Sequence, residues 1–129
     1  MTYYSILKEI NNQICNSDSQ IRDNTSINII DKAIEEAINS QDDETLTKAM
    51  KVAALIKLFQ PFYDGNHRTA LIIFGNIITQ KGYTFDYQTA LNDMKNKKLN
   101  IPTIYSENDK IGNFDKWLNY IQKENKIKL

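Results

Sequence analysis

The chain has 129 residues, of which 41% are hydrophobic, and its sixteen basic and sixteen acidic residues cancel. That size and balance suit one compact domain with a modest core, and they exclude a general electrostatic pull toward nucleic acid or an anionic membrane. A lone cysteine excludes a disulfide framework or a thiolate metal cluster, and no apolar run reaches the roughly 18 residues of a membrane span.

The first ten residues, MTYYSILKEI, carry Lys8 and Glu9 and hold no long apolar stretch, so they do not read as a secretory signal. The expectation is a reducing, cytoplasmic compartment, with export as an effector left open. Tyr3, Ile6, Leu7 and Ile10 share one face at helical spacing. Cys15 reads as a partly buried apolar filler and not as a catalytic thiol. Cys15 to Asn24 is polar and reads as a loop, with Asn24 or Thr25 as the N-cap of the next helix. Ile27, Ile30, Ile34, Ala37 and Ile38 recur at intervals of three and four, predicting an amphipathic helix to about Asn39. The stretch SQDDET is a turn whose acidic residues suit a helix N-terminus. A third helix follows through Leu46, Ala49, Met50, Ala53, Leu55, Ile56 and Phe59. Its second half is apolar nearly all round, which marks it as central.

Pro61 stops that helix. Leu71 to Ile78 is another run too apolar for a surface helix, and Gly82 after Lys81 is a C-cap signal. Tyr83 to Phe85 reads as a short extended piece, and Ala90 to Lys98 as a short helix ended at Ile101-Pro102. Ile111, Phe114, Trp117, Leu118 and Ile121 mark a last amphipathic helix. The expected fold is all-α: one domain over residues 1–129, built on two buried helices joined by the turn around Pro61 to Arg68.

That turn gathers scarce residues: one of two prolines, one of four glycines, the sole histidine and one of two arginines. Gly65 can take a positive φ and let the backbone fold tightly. Successive N–H groups at the start of a helix form an anion-binding concavity. Arg68 in the first helical turn opposes the helix dipole, which makes sense when both address a bound phosphate. Asp64 puts a hard carboxylate on the same rim, as Mg²⁺ requires. Residue chemistry thus allows a Mg-nucleotide or phosphoester site. It equally allows a plain joint between helices, with Asp64 capping and Arg68 paired to a surface acid.

Residues 60–71, Q-P-F-Y-D-G-N-H-R-T-A-L, resemble without gaps the signature of the Fic/Doc family. That signature is H-P-F-x-x-G-N-G-R-x-x-R in the Fic branch and H-x-F-x-D-A-N-K-R-T-A-L in the Doc branch. Pro61, Phe62, Asp64, Gly65, Asn66 and Arg68 match one or both branches, and Thr69-Ala70-Leu71 follows Doc. Ile21-Arg22-Asp23 before the Ile30–Ala37 helix, and Gly82-Tyr83 after the second buried helix, are also similar. The resemblance covers about residues 20 to 88. It implies an all-α Fic/Doc-like bundle around a central helix pair, with a short β-flap near Ser19 to Ser26 that docks a target peptide. It implies ATP and Mg²⁺ as cofactors, and transfer of AMP to a protein hydroxyl or, in the Doc branch, phosphorylation of a translation factor. The partners implied are a hydroxyl-bearing target protein, such as a translation factor or GTPase, and a separate antitoxin. Carried over by position, Asp64 would hold Mg²⁺. The amides of Gly65, Asn66 and His67 would line the phosphate site. Asn66 and Arg68 would serve catalysis, Arg68 by contacting phosphate, and Phe62 would anchor the turn.

Gln60 departs from the family at the position of its catalytic His. A general base must accept a proton near working pH, and a primary amide cannot; losing the base costs a factor of about 10²–10⁴. Three accounts stay open: a natural non-catalytic member, an inactivated form of an active toxin, or His67 acting as the base. His67 takes the family's Gly or Lys position, where a protonated imidazole would bind phosphate; the alternative is an exposed histidine at a helix start. Leu71 replaces the second Arg of the Fic branch, which weakens the case for AMP transfer. Arg22 and Asp23 read as a surface ion pair. Tyr120 to Asn125, with Glu124, comes near the pattern of an inhibitory helix, but its Tyr departs from it. The enzyme reading therefore stands beside a non-catalytic nucleotide- or peptide-binding module and a purely structural helical adaptor.

Overall fold

The computed structural model describes residues 3–15, 25–41, 44–63 and 65–97. Five helices follow in order: α1 (Tyr3–Cys15), α2 (Thr25–Ile38), α3 (Glu44–Phe59), α4 (Asn66–Gln80) and α5 (Tyr87–Lys95). No strand occurs among the described residues, so the all-α expectation holds. The predicted flap cannot include Thr25 and Ser26, which open α2 with Ser26 buried. Residues 19–24 and the predicted last helix from Ile111 to Ile121 lie outside the described residues.

The architecture grows from α3 and α4, which pack most extensively on each other. Val52 to Ile56 are five consecutive buried residues on α3, so no face of that segment is left for water. α4 buries Ala70, Leu71, Phe74, Ile77 and Ile78. Ala49, Ala53 and Ala70 share the core cluster with the larger Met50, Ile56 and Phe74, a mix of small and large side chains that suits close packing. α2 flanks α3, α1 spans α2 and α4, and α5 packs on α4. No helix among the described residues is long and apolar enough to cross a membrane.

Helix boundaries follow local chemistry. Glu44 opens α3 and Lys57 closes it, each complementing the dipole. Glu44 also pairs with Lys48 one turn on, at 3.4 Å; the pair is exposed and contributes little. At the end of α4, Gly82 adopts φ 94°. Its N–H reaches the Thr79 carbonyl and that of Tyr83 reaches Ile78, the paired bonds of a Schellman cap. α5 begins three residues before the predicted start at Ala90. Its cap is Asp86, whose carboxylate accepts from the Thr89 N–H at 3.2 Å and from the Thr89 hydroxyl at 2.9 Å. Tyr83 to Phe85 forms no strand, and the Phe85 ring meets Phe74 edge-on at 5.3 Å. On α1 the expected face needs one correction: Ile6 is 40% exposed, whereas Leu7 is buried and Tyr3 and Ile10 pack against the core. The inward stripe runs 3, 7, 10, and Ile6 lies about 100° around the helix from Leu7.

Candidate functional site

The turn between the two central helices is built from two left-handed residues and an amide clamp. Gln60 ends α3 at φ 46°, with its N–H still donating to Ile56 at 2.9 Å. That is the single-bond left-handed C-cap, a role usually taken by glycine or asparagine. A glutamine held there costs about 1–2 kcal/mol, and such local strain persists where the surroundings over-determine it. The Gln60 side chain is exposed. Pro61 and Phe62 then plunge into the core, with Phe62 1% exposed. Tyr63 turns outward, 69% exposed.

Asn66 fixes the turn from the other side. Its Oδ1 accepts from the Phe62 N–H at 3.0 Å, and its Nδ2 donates to the Phe62 carbonyl at 2.8 Å. Both polar ends of the side chain are therefore engaged within the turn, which fixes its orientation, and the Asn66 backbone N–H stands in the first turn of α4. Gly65, at φ 74°, is the N-cap of α4 and supplies no side-chain cap. The first backbone bond of α4 runs from the Thr69 N–H to the Gly65 carbonyl at 2.9 Å. Helix geometry thus aims the N–H groups of Asn66, His67 and Arg68 out of the helix end, where an anion is favoured by donors and dipole together.

Helix α1 holds this turn in place. Asn11 Nδ2 donates to Thr69 Oγ1 at 3.0 Å inside the core. A Cβ placed on Gly65 would lie 2.8 Å from Cys15 Sγ and 3.1 Å from Asn11 Nδ2. Cys15 is a free, half-buried thiol serving as a wall of the turn, in keeping with a filler role. The sequence reading missed Asn11. Its signal was a polar residue four positions after Leu7, on the apolar stripe of α1, where a buried amide must find a partner.

His67 is exposed and Arg68 is half-buried. Arg68 lines a cleft between α1, α4 and α5, with Tyr87 and Lys95. Gln60, Gly65, Asn66 and His67 do not line it. The structure thus brings the amides of Asn66, His67 and Arg68 together at the mouth of α4 and places the Arg68 guanidinium on the flank of that mouth. Asp64, expected to hold the metal, lies outside the described residues. No group of three or more His, Cys, Asp or Glu able to hold a metal occurs among the described residues.

Desolvation, with Lys57 adding to it, lowers the His67 pKa below its ordinary value of about 6.5. His67 is therefore neutral at pH 7 in the ligand-free protein, which argues against a standing imidazolium at the mouth. The folded state holds fewer protons on His67 than the unfolded state does, so stability rises with pH through this window. The contribution is full above pH 6.5 and is lost as pH falls from there. Thermal melts at pH 7.5 and 5.5 should show a smaller acid-induced drop in His67→Gln than in the wild type; equal drops would remove His67 as a contributor.

The chain is an all-α domain whose central helix pair is joined by a braced, glycine-capped turn. The Fic/DOC family model matches residues 4–78, from α1 to the last turn of α4, and the chain belongs to that family. No curated protein and no solved structure gave a match.

Proposed function

We propose that this chain is a Fic/Doc-type protein-modifying transferase in lineage, moving AMP or phosphate from ATP to a protein hydroxyl, and that Gln60 leaves it impaired. The observation that carries this reading is the pair of left-handed residues, Gln60 and Gly65, that frame the mouth of α4 inside the matched family segment. The donor set suits a polyphosphate: three helix-end amides, uncapped by any Gly65 side chain, with a guanidinium on the flank. Mg-ATP, when bound, supplies the electrophilic phosphorus. Asp64, by its place in the motif, would hold the metal. The chain's own parts divide as follows. The amides of Asn66, His67 and Arg68 orient phosphate oxygens; that of Gly65 belongs to the same wall by the family's pattern. Asn66 is a positioning residue, because its side chain holds Phe62. Arg68 adds charge where it turns from the Tyr87 side toward the bound phosphates.

The remaining requirement is a base. When a target hydroxyl attacks phosphorus, its proton must leave, and the Gln60 amide can orient that hydroxyl but cannot take the proton. His67, its pKa lowered by desolvation, is neutral at pH 7 and so has a free lone pair, but it stands in the first turn of α4, at the amide end of the site. A soluble target protein, an antitoxin partner and a cytoplasmic setting accompany this lineage as parts of the same proposal. The second reading is a binding module that keeps nucleotide recognition without turnover, and the exposed amide at position 60 favours it for the wild-type chain.

Calorimetric titration tests the site apart from turnover. Wild-type protein should bind ATP in the presence of Mg²⁺ and lose affinity on chelation. Arg68→Ala should weaken binding by roughly 10–100-fold, the scale of one charge-assisted contact. Equal affinity in Arg68→Ala would remove Arg68 from the site, and no nucleotide binding at all would leave a structural adaptor.

A further inference from the structure

The cleft on the α1–α5 side of α4 has a volume of about 380 Å³, within the range of roughly 300–1,000 Å³ found for pockets that take small molecules. Its floor is aliphatic, with Ile14 from α1, Ile72 from α4 and Leu91 from α5. Its charges are of one sign. Arg68 enters from α4 and Lys95 from α5, and among the described residues none that lines it is acidic. Tyr87, the first residue of α5, lines the same cleft, and burial raises its pKa, so the phenol stays protonated and can donate. Two cations over low-dielectric walls focus a positive potential on the space between them. An aliphatic floor under that potential matches a ligand with an apolar body and an anionic head.

We infer that the cleft lined by Arg68, Tyr87 and Lys95 is a binding site for a small amphipathic anion, a carboxylate or phosphate monoester carried on a compact apolar body. The guanidinium and the ammonium grip the head from two helices, and the phenol adds a hydrogen bond. The body lies on Ile14, Ile72 and Leu91. The site is separate from the amides at the mouth of α4, and it does not depend on the protein binding nucleotide. It shares Arg68 with that mouth, so a bound anion would hold the guanidinium on the α5 side.

Calorimetry with the full chain and three probes of one shape decides the matter: naphthoate, naphthyl phosphate and the neutral naphthalenemethanol. At least one anion should bind, about tenfold or more tighter than the alcohol, and whether carboxylate or phosphate binds tighter identifies the natural head group. Lys95→Glu should weaken the anions by about tenfold or more and leave the alcohol unchanged. Lys95 is exposed near the end of α5, so this variant retains the core. Lys81→Glu, an equal change of net charge outside the cleft at the end of α4, should have no effect. Three results would each overturn the assignment: an alcohol that binds as tightly as the anions, no measurable binding of either anion, or Lys95→Glu and Lys81→Glu acting alike.

Discussion

Replacing Gln60 with histidine should raise transfer from ATP to a protein by roughly 10²–10⁴-fold over the wild type, the contribution of one well-placed general base. The backbone favours this experiment. Position 60 holds φ 46°, and among non-glycine residues histidine, asparagine and aspartate are the ones enriched in the left-handed region. Histidine therefore fits the turn at least as well as glutamine. The side chain is exposed, so no core contact is lost. Any gain then reads as chemistry. Gln60→Asn is the matched control: it suits the same backbone and keeps an amide, so it should equal or exceed the wild type in stability while gaining no activity. ATP labelled at the α-phosphate reports AMP transfer, and ATP labelled at the γ-phosphate reports phosphorylation, each incubated with Mg²⁺ and a cell lysate. Label on a protein in Gln60→His alone supports an enzyme disabled at its base. A blank in Gln60→His with both labels, despite nucleotide binding, would leave the binding-module reading in its place.

The parts legible in the sequence were those set by short-range rules. Apolar periodicity gave α2 and α3 nearly to the residue and the body of α4, whose first turn from Asn66 precedes the apolar run at Leu71. Pro61 marked the end of α3, and Gly82 marked the end of α4 because only a cap needs φ 94° there. The turn was legible as a cluster of rare residues whose order matches a family signature. What escaped was set by side chains meeting across the fold. Asn11 belongs to the site only because Thr69 lies opposite it, 58 positions away. Asn66 carries the label of a site residue in the motif, yet its amide turns back to hold Phe62, a geometry that no spacing rule predicts. Arg68 lines a cleft with Tyr87 and Lys95, because α5 packs on α4 and starts at a cap, Asp86, that the apolar pattern does not show. The inner face of α1 was misjudged at Ile6 for a related reason: a stripe counted from four residues does not settle which edge of it meets a partner.

Gly65→Ala should cost about 2–5 kcal/mol, out of a total stability of roughly 5–15 kcal/mol for a domain of this kind, and should abolish nucleotide binding. Two effects add. A non-glycine residue at φ 74° costs about 1–2 kcal/mol. The new Cβ would also meet Cys15 Sγ at 2.8 Å and Asn11 Nδ2 at 3.1 Å, an overpacking of about 1–3 kcal/mol. Gly82→Ala isolates the first effect, because its φ is 94° and nothing lies within 4 Å of its Cβ; about 1–2 kcal/mol is expected there. The second effect is isolated by removing the sulfur. In Gly65→Ala with Cys15→Ala, the closest clash is gone, so the double variant should be more stable than the sum of the single changes by about 0.5–3 kcal/mol. Urea unfolding at constant m measures all five proteins: the wild type, the three single variants and the double variant. The binding loss has a separate cause: the alanine must push α1 away or tilt the head of α4, and either movement turns the amides of Asn66 and His67 off their common target. If Gly65→Ala unfolds no more easily than Gly82→Ala and shows no coupling to Cys15, then α1 does not hold the turn, and the geometry proposed for the phosphate site loses its support.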